Sequence, residues 1–249
     1  MFSIDDRNRL RDHVLERARV DVRVVAGAVV GSLAGSEGDR WSDLDLTFGV
    51  SDGVAIGDVL DDFTIDLRSE FSATHLFDLP SGAAMYRVFL LPGCLQFDLS
   101  FAPASQFRAL GPEFRLLFGQ AAEQAHVQPP QAQQLFGYAV HHALRARFCI
   151  ERGRLWQPEY WVSGVRDYAL NLACRRRGLP ASHGRGFDLL PQEVKHAATD
   201  ALTRSLDRNE LLRALSCAVD LLLGETGEVQ EFARNVVPQL RQLTRATLQ

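Results

Sequence analysis

Trp41-Ser42-Asp43-Leu44-Asp45-Leu46-Thr47-Phe48 alternates between polar and apolar side chains, the pattern of a strand buried on one face. Successive side chains of a strand point to opposite faces, so Asp43 and Asp45 share one face while Leu44, Leu46 and Phe48 share the other. Leu95-Gln96-Phe97-Asp98-Leu99-Ser100-Phe101 repeats the design. There Phe97, Leu99 and Phe101 suit a core, which leaves Asp98 opposite with Gln96 and Ser100. If the two strands are neighbours, three carboxylates converge.

Around these segments the chain reads as α/β. Ser3 followed by Asp6 is a capping-box start, and Leu10, Val14 and Leu15 continue it at helical spacing to about Arg19. Val22 to Val30 is β-branched and apolar and ends at Gly31-Ser32, as a buried strand entering a turn does. Gly53 to Phe63 reads as a short helix. Ala73–Leu79, Ala83–Leu91 and Leu95–Phe101 read as strands, the last two joined into an antiparallel hairpin by Pro92-Gly93. A connecting region follows Pro103 and leads to a Gln/Pro linker, Gln128-Pro129-Pro130-Gln131. Beyond it strand signals vanish, and helical stretches run over 132–152, 158–177, 191–205, 208–223 and 226–247. The expected fold is α+β, a mixed-sheet domain over 1–127 followed by an all-helical bundle over 128–249.

Composition narrows the classes. The chain has 249 residues, 46% of them hydrophobic and 23% charged, which excludes wholesale disorder and a disulfide-dense miniature. No apolar run approaches a bilayer span, and the start is acidic and polar, so no membrane association and a cytoplasmic location are expected. Cys94, Cys149, Cys174 and Cys217 lie far apart and read as packing thiols. A net charge of −4 gives no field for holding extended nucleic acid. The sign is uneven, with acids dense before Ser100 and arginines prevailing from His141 to Arg185.

Like charges held a few ångströms apart repel and raise one another's pKa unless a cation sits among them. Hard oxygen ligands suit Mg²⁺ or Mn²⁺, and Mg²⁺ is commonly held by one or two carboxylates together with substrate phosphates. A nucleoside triphosphate is the implied substrate. Upstream, Gly31 lets backbone approach a ligand, Ser32 can donate a hydrogen bond, and N–H groups in such a turn form an anion site.

Gly31-Ser32, then Asp43-Leu44-Asp45, then Asp98 in an alternating strand resembles the signature of the polymerase-β-like nucleotidyltransferase superfamily over roughly residues 20–105. The helical second half makes the chain most similar in character to the bacterial aminoglycoside and lincosamide nucleotidyltransferases. The resemblance implies that Gly31 and Ser32 bind the β and γ phosphates and that Asp43 and Asp45 ligate two Mg²⁺ ions. Asp98 would be a third ligand and could accept the proton of the attacking hydroxyl. It also implies an acidic general base in the helical domain, for which Glu159 and Asp167 are candidates. Arg166 and Arg40 are candidate triphosphate contacts. The reaction implied is transfer of a nucleoside monophosphate, AMP from ATP foremost, to a hydroxyl of a small molecule such as an antibiotic, with release of pyrophosphate. Two alternatives stay open: the same transfer to a protein or RNA acceptor, and a non-catalytic nucleotide-binding, antitoxin-like regulator. The sequence also leaves open whether the site closes within one chain or across a homodimer.

Other motifs read as structural. Arg175-Arg176-Arg177 stands at a helix end, where cations meet the negative pole of the dipole. His141-His142 lacks a third ligand at metal spacing. Trp156, Tyr160, Trp161 and Tyr168 read as helix-packing aromatics before they read as an acceptor pocket.

Overall fold

The computed structural model of the chain describes residues 1–35, 38–110, 113–123 and 130–245. The chain divides into two units, Met1–Gln128 and Pro129–Gln249. Of the expected linker, Gln128 and Pro129 lie outside the described residues, and Gln131 is the N-cap of the first helix of the second unit.

The first unit opens with α1 (Ile4–Val20). Its start is the expected capping box: the Asp6 amide donates to the Ser3 hydroxyl at 3.1 Å, and the Ser3 amide donates to the Asp6 carboxylate at 2.9 Å. Two of the helix's orphan donors are thereby satisfied. The unit continues with β1 (Val24–Val30), β2 (Leu44–Val50), α2 (Ile56–Phe71), β3 (Thr74–Ser81), β4 (Ala84–Leu91), β5 (Leu95–Pro103) and β6 (Phe114–Phe118). These strands form one six-stranded sheet in the order β3-β4-β5-β2-β1-β6. β2 and β5 run parallel and the other neighbours antiparallel, so the sheet is mixed.

The alternation in β2 and β5 divides the sheet's faces. Leu44, Leu46, Phe48, Phe97, Leu99 and Phe101 are buried in one cluster with Leu10 and Val14 of α1 and Phe63 and Leu67 of α2. Each such side chain contributes about 1.5–3 kcal/mol of burial. Phe101 meets Phe63 edge-on at 5.1 Å and lies 5.5 Å from Phe48. The polar residues of the same strands are left on the opposite face.

Within this unit four elements depart most from sequence expectation. β1 begins at Val24, because the Val24 amide closes a turn onto the Asp21 carbonyl at 2.9 Å. β2 begins at Leu44, so Trp41 to Asp43 belongs to the preceding loop. α2 starts at Ile56 and runs on past Phe63 because Thr64 and Leu67 prolong its buried stripe. β6 was not expected: most of it is poorly buried, and its strand character comes from pairing with β1, which a short local stretch does not announce.

The second unit is helical: α3 (Ala132–Glu151), α4 (Trp156–Arg176), α5 (Gln192–Asp200), α6 (Arg208–Gly224), α7 (Gln230–Arg234) and α8 (Val237–Thr244). Small residues line its core, among them Ala139, Ala143 and Ala146 of α3 and Ala169 and Ala173 of α4. The single helix expected over 226–247 is divided, with Pro238 in the first turn of α8, where a missing N–H costs least. Ala246 and Thr247 of that expectation lie outside the described residues. All four cysteines are free, and Cys94 is exposed in the β4–β5 turn, so the packing reading fails for it.

Candidate active site

Asp45 and Asp98 are direct register partners across the parallel pair β2 and β5. Neighbouring strands lie about 4.8 Å apart, so both carboxylates rise from the same face at the sheet's centre. Asp43 stands two residues before Asp45, and its charge acts on Asp98. Burial pushes the Asp98 carboxyl above the ordinary carboxylate range. The Gln96 amide, donating to Asp98 Oδ1 at 3.0 Å, opposes that shift, and the Asp43 charge adds to it. As the side chains stand, no three Asp, Glu, His or Cys side chains among the described residues are gathered closely enough to hold a metal ion. The donor set is nonetheless chemically suited to a hard cation: carboxylate oxygens, like charges on one face, and one carboxyl whose ionisation is resisted until a counter-charge arrives.

Gly31 opens a short helical turn, Gly31–Leu33, directly after β1. Its φ is +68°, and a Cβ there would lie 2.5 Å from Asp45 Oδ2. Only glycine permits both this backbone and this approach. The Gly31 amide itself donates to the Glu113 carbonyl at 3.2 Å. The Ser32 hydroxyl, by contrast, meets no partner among the described residues.

The loop entering β2 is closed by its own hydrogen bonds. The Asp39 carboxylate accepts from the Trp41 amide at 2.8 Å, and the Ser42 hydroxyl accepts from the Asp39 amide at 3.0 Å. Arg40 lies over the exposed Trp41 indole, 4.0 Å from its centroid. Arg7 of α1 donates to the carbonyls of Asp39 and Ser42 at 2.7 and 2.6 Å. Sequence reading missed Arg7, because nothing local to a helix announces a bond to a distant loop.

Further along the same face, Tyr86 of β4 stands opposite Ser100 of β5. Partial burial raises its phenol, Ser100 opposes the shift, and the Asp45 charge adds to it. A pocket of about 260 Å³ opens here, with Thr47, Tyr86, Ala102, Phe107, Arg108 and Phe114 in its lining. Small residues at the ends of the strands leave this space, a signal present in the sequence but unreadable without strand order.

In the second unit, Glu159, Arg166 and Asp167 all lie on α4. Glu159 accepts from the Ser163 hydroxyl at 2.9 Å, and Arg166 is engaged with Asp167 at 2.9 Å. His142 packs edge-on against Trp161 and Tyr168 at 4.7 and 5.1 Å, which supports its structural reading. Trp156 and Tyr160 are exposed. The arginine run ends α4 in ion pairs, Arg175 with Glu228 and both Arg176 and Arg177 with the buried Glu225.

No family model and no curated protein matches the sequence. Solved structures do resemble the chain. An aminoglycoside 6-adenyltransferase from Bacillus subtilis is 13% identical over 95% of this chain and 97% of that one, with a TM-score of 0.41. A nucleotidyltransferase-like protein from Exiguobacterium sibiricum is 14% identical over 92% of this chain and 78% of that one, with a TM-score of 0.41. A CD-NTase from Bradyrhizobium diazoefficiens, solved with GTP, is 13% identical over 96% and 93%, with a TM-score of 0.28. Among the described residues no helix is long and apolar enough to cross a membrane.

Proposed function

We propose that this chain is a Mg²⁺-dependent nucleotidyltransferase that moves a nucleoside monophosphate, AMP from ATP foremost, to a hydroxyl of a small molecule such as an aminoglycoside or lincosamide. One observation carries the reading. Asp45 and Asp98 are paired in register on adjacent strands, with Asp43 on the same side and Gly31 pressed against the Asp45 carboxylate. Nothing in the packing of a sheet requires two acids at its centre with a third at the entry to one of their strands, and their mutual repulsion opposes it.

In this reading Asp43, Asp45 and Asp98 would hold the metal, with two ions the expected number. A bound Mg²⁺ supplies charge neutralisation at the triphosphate. The Ser32 hydroxyl, beside the Gly31 turn, binds phosphate oxygens. Asp98 accepts the proton of the acceptor hydroxyl at its carboxylate. The acceptor oxygen forms a bond to the α-phosphorus as the bond to the bridging oxygen breaks, and pyrophosphate leaves. The pocket at Tyr86 and Ala102 receives the body of a reactant whose reacting group lies at the carboxylates. Arg40 is proposed as a triphosphate contact, and Glu159, Arg166 and Asp167 as groups of the helical unit that serve the substrates.

The test is incubation with each NTP, Mg²⁺ and a panel of hydroxylated acceptors, following pyrophosphate release and acceptor mass. An acceptor-dependent release that Asp43→Asn abolishes supports the reading. Release from no acceptor, or undiminished release in Asp43→Asn, overturns it, and nucleotide binding without turnover would favour a regulator.

A further inference from the structure

We propose that the start of α1 is a strut that sets Asp43 against Asp98, with Arg7 as its positioning residue; the proposal rests on the nucleotidyltransferase reading above. Arg7 is only 6% exposed although it carries a full charge. Its Nη1 donates to two main-chain carbonyls, Asp39 at 2.7 Å and Ser42 at 2.6 Å, and the second of these belongs to the residue directly before Asp43. The turn between those carbonyls is already closed by the Asp39 and Ser42 side chains, so fastening both of its ends fixes it as a unit.

The same stretch of chain is fastened at its other end. The Phe2 amide donates to the Gly93 carbonyl at 2.8 Å, and the Phe2 side chain is buried. Gly93 has φ +75°, and a Cβ there would lie 2.6 Å from the Phe2 nitrogen, so glycine is what admits this contact. Gly93 lies in the turn that leads into β5, the strand of Asp98. Residues 2 to 7 therefore tie the entry to the Asp98 strand to the entry to the Asp43 strand.

Fold stability alone gives a poor reason for this arginine. Its Nε is buried with no partner, and an unsatisfied buried donor costs free energy. A hydrocarbon side chain would fill the site without that cost but could not hold the two carbonyls. What Arg7 supplies is a fixed path for the backbone immediately before Asp43. A carboxylate held in place before its ion arrives loses less freedom on binding.

The experiment compares wild type, Arg7→Met and Arg7→Lys by amide hydrogen exchange, and by Mn²⁺ binding in the presence of ATP followed by electron paramagnetic resonance. Arg7→Met is expected to speed exchange locally over residues 38–44 and to weaken Mn²⁺ binding by about tenfold, the effect typical of removing an outer-shell support. Arg7→Lys is expected to recover part of both. Exchange over 38–44 that matches wild type in Arg7→Met overturns the strut, whatever the wild type binds. So does Mn²⁺ affinity unchanged well below the variant's melting temperature, because a merely structural arginine would move only the latter. Should Arg7→Met not fold, Asp39→Ala loosens the same turn and must show the same two losses; wild-type behaviour there overturns the proposal. Failure of wild type to bind Mn²⁺ with ATP would instead overturn the parent functional reading, and is read separately from exchange.

Discussion

Asp45 and Asp98 face each other across the parallel strand pair at the centre of the sheet. Because β2 and β5 are in register from Leu44 with Phe97 to Val50 with Pro103, a shift of one residue would send one acid into the phenylalanine core. The apolar face thus fixes the placement of the acidic one.

Asp43→Asn and Asp45→Asn should each lower transfer by at least about a hundredfold, the scale on which lost electrostatic stabilisation of a reacting group is felt. Asp43→Asn should not lower the melting temperature, since it removes a like charge from a crowded face. Initial rates of pyrophosphate release and a thermal melt check both statements.

Gly31→Ala should destabilise the first unit by about 1 kcal/mol or more, from a side chain at positive φ and a Cβ 2.5 Å from Asp45 Oδ2. Transfer should fall further than stability, because relief of the clash moves the carboxylate itself. Urea unfolding and steady-state kinetics on the same preparation separate the two.

Asp98 makes metal-free stability depend on pH. Its folded pKa is raised above the unfolded value, so between the two the folded state holds more protons and stability falls as pH rises. Below the ordinary carboxylate range the effect is absent. Asp98→Asn should therefore match wild type in acid and gain on it as pH rises through the raised pKa, while losing transfer. Urea midpoints from pH 4 to 9 without divalent ions, then with Mg²⁺, give the comparison, and Mg²⁺ should erase the wild-type penalty.

Ala102→Phe should fill the pocket beside Tyr86. The KM for the reactant seated there should rise on the order of tenfold with kcat little changed, the signature of lost uniform binding. Equal KM values for both reactants would show that neither uses the space.

Much of this was legible in the sequence because strand alternation is a local pattern. Leu44 to Phe48 and Leu95 to Phe101 reveal which residues share a face, and Pro92-Gly93 marks the hairpin. The adjacency of Asp45 and Asp98 was a conditional inference, since pairing between distant strands leaves no local mark. The bonds of Arg7 to Asp39 and Ser42, the use of the Gly31 amide by Glu113, and the pocket at Ala102 depend on which elements meet. The division between α7 and α8 was readable from Pro238 but was outweighed by the apolar spacing around it.

The parallel pairing of β2 with β5 also bears on biogenesis. Parallel neighbours need a crossover, and here α2, β3 and β4 must all be made before β5 can dock. A nascent chain emerging from the ribosome would carry Asp43 and Asp45 long before Asp98 exists to meet them. Truncated products ending short of β5 would therefore be inert toward nucleotides, so competence arrives with the completed sheet.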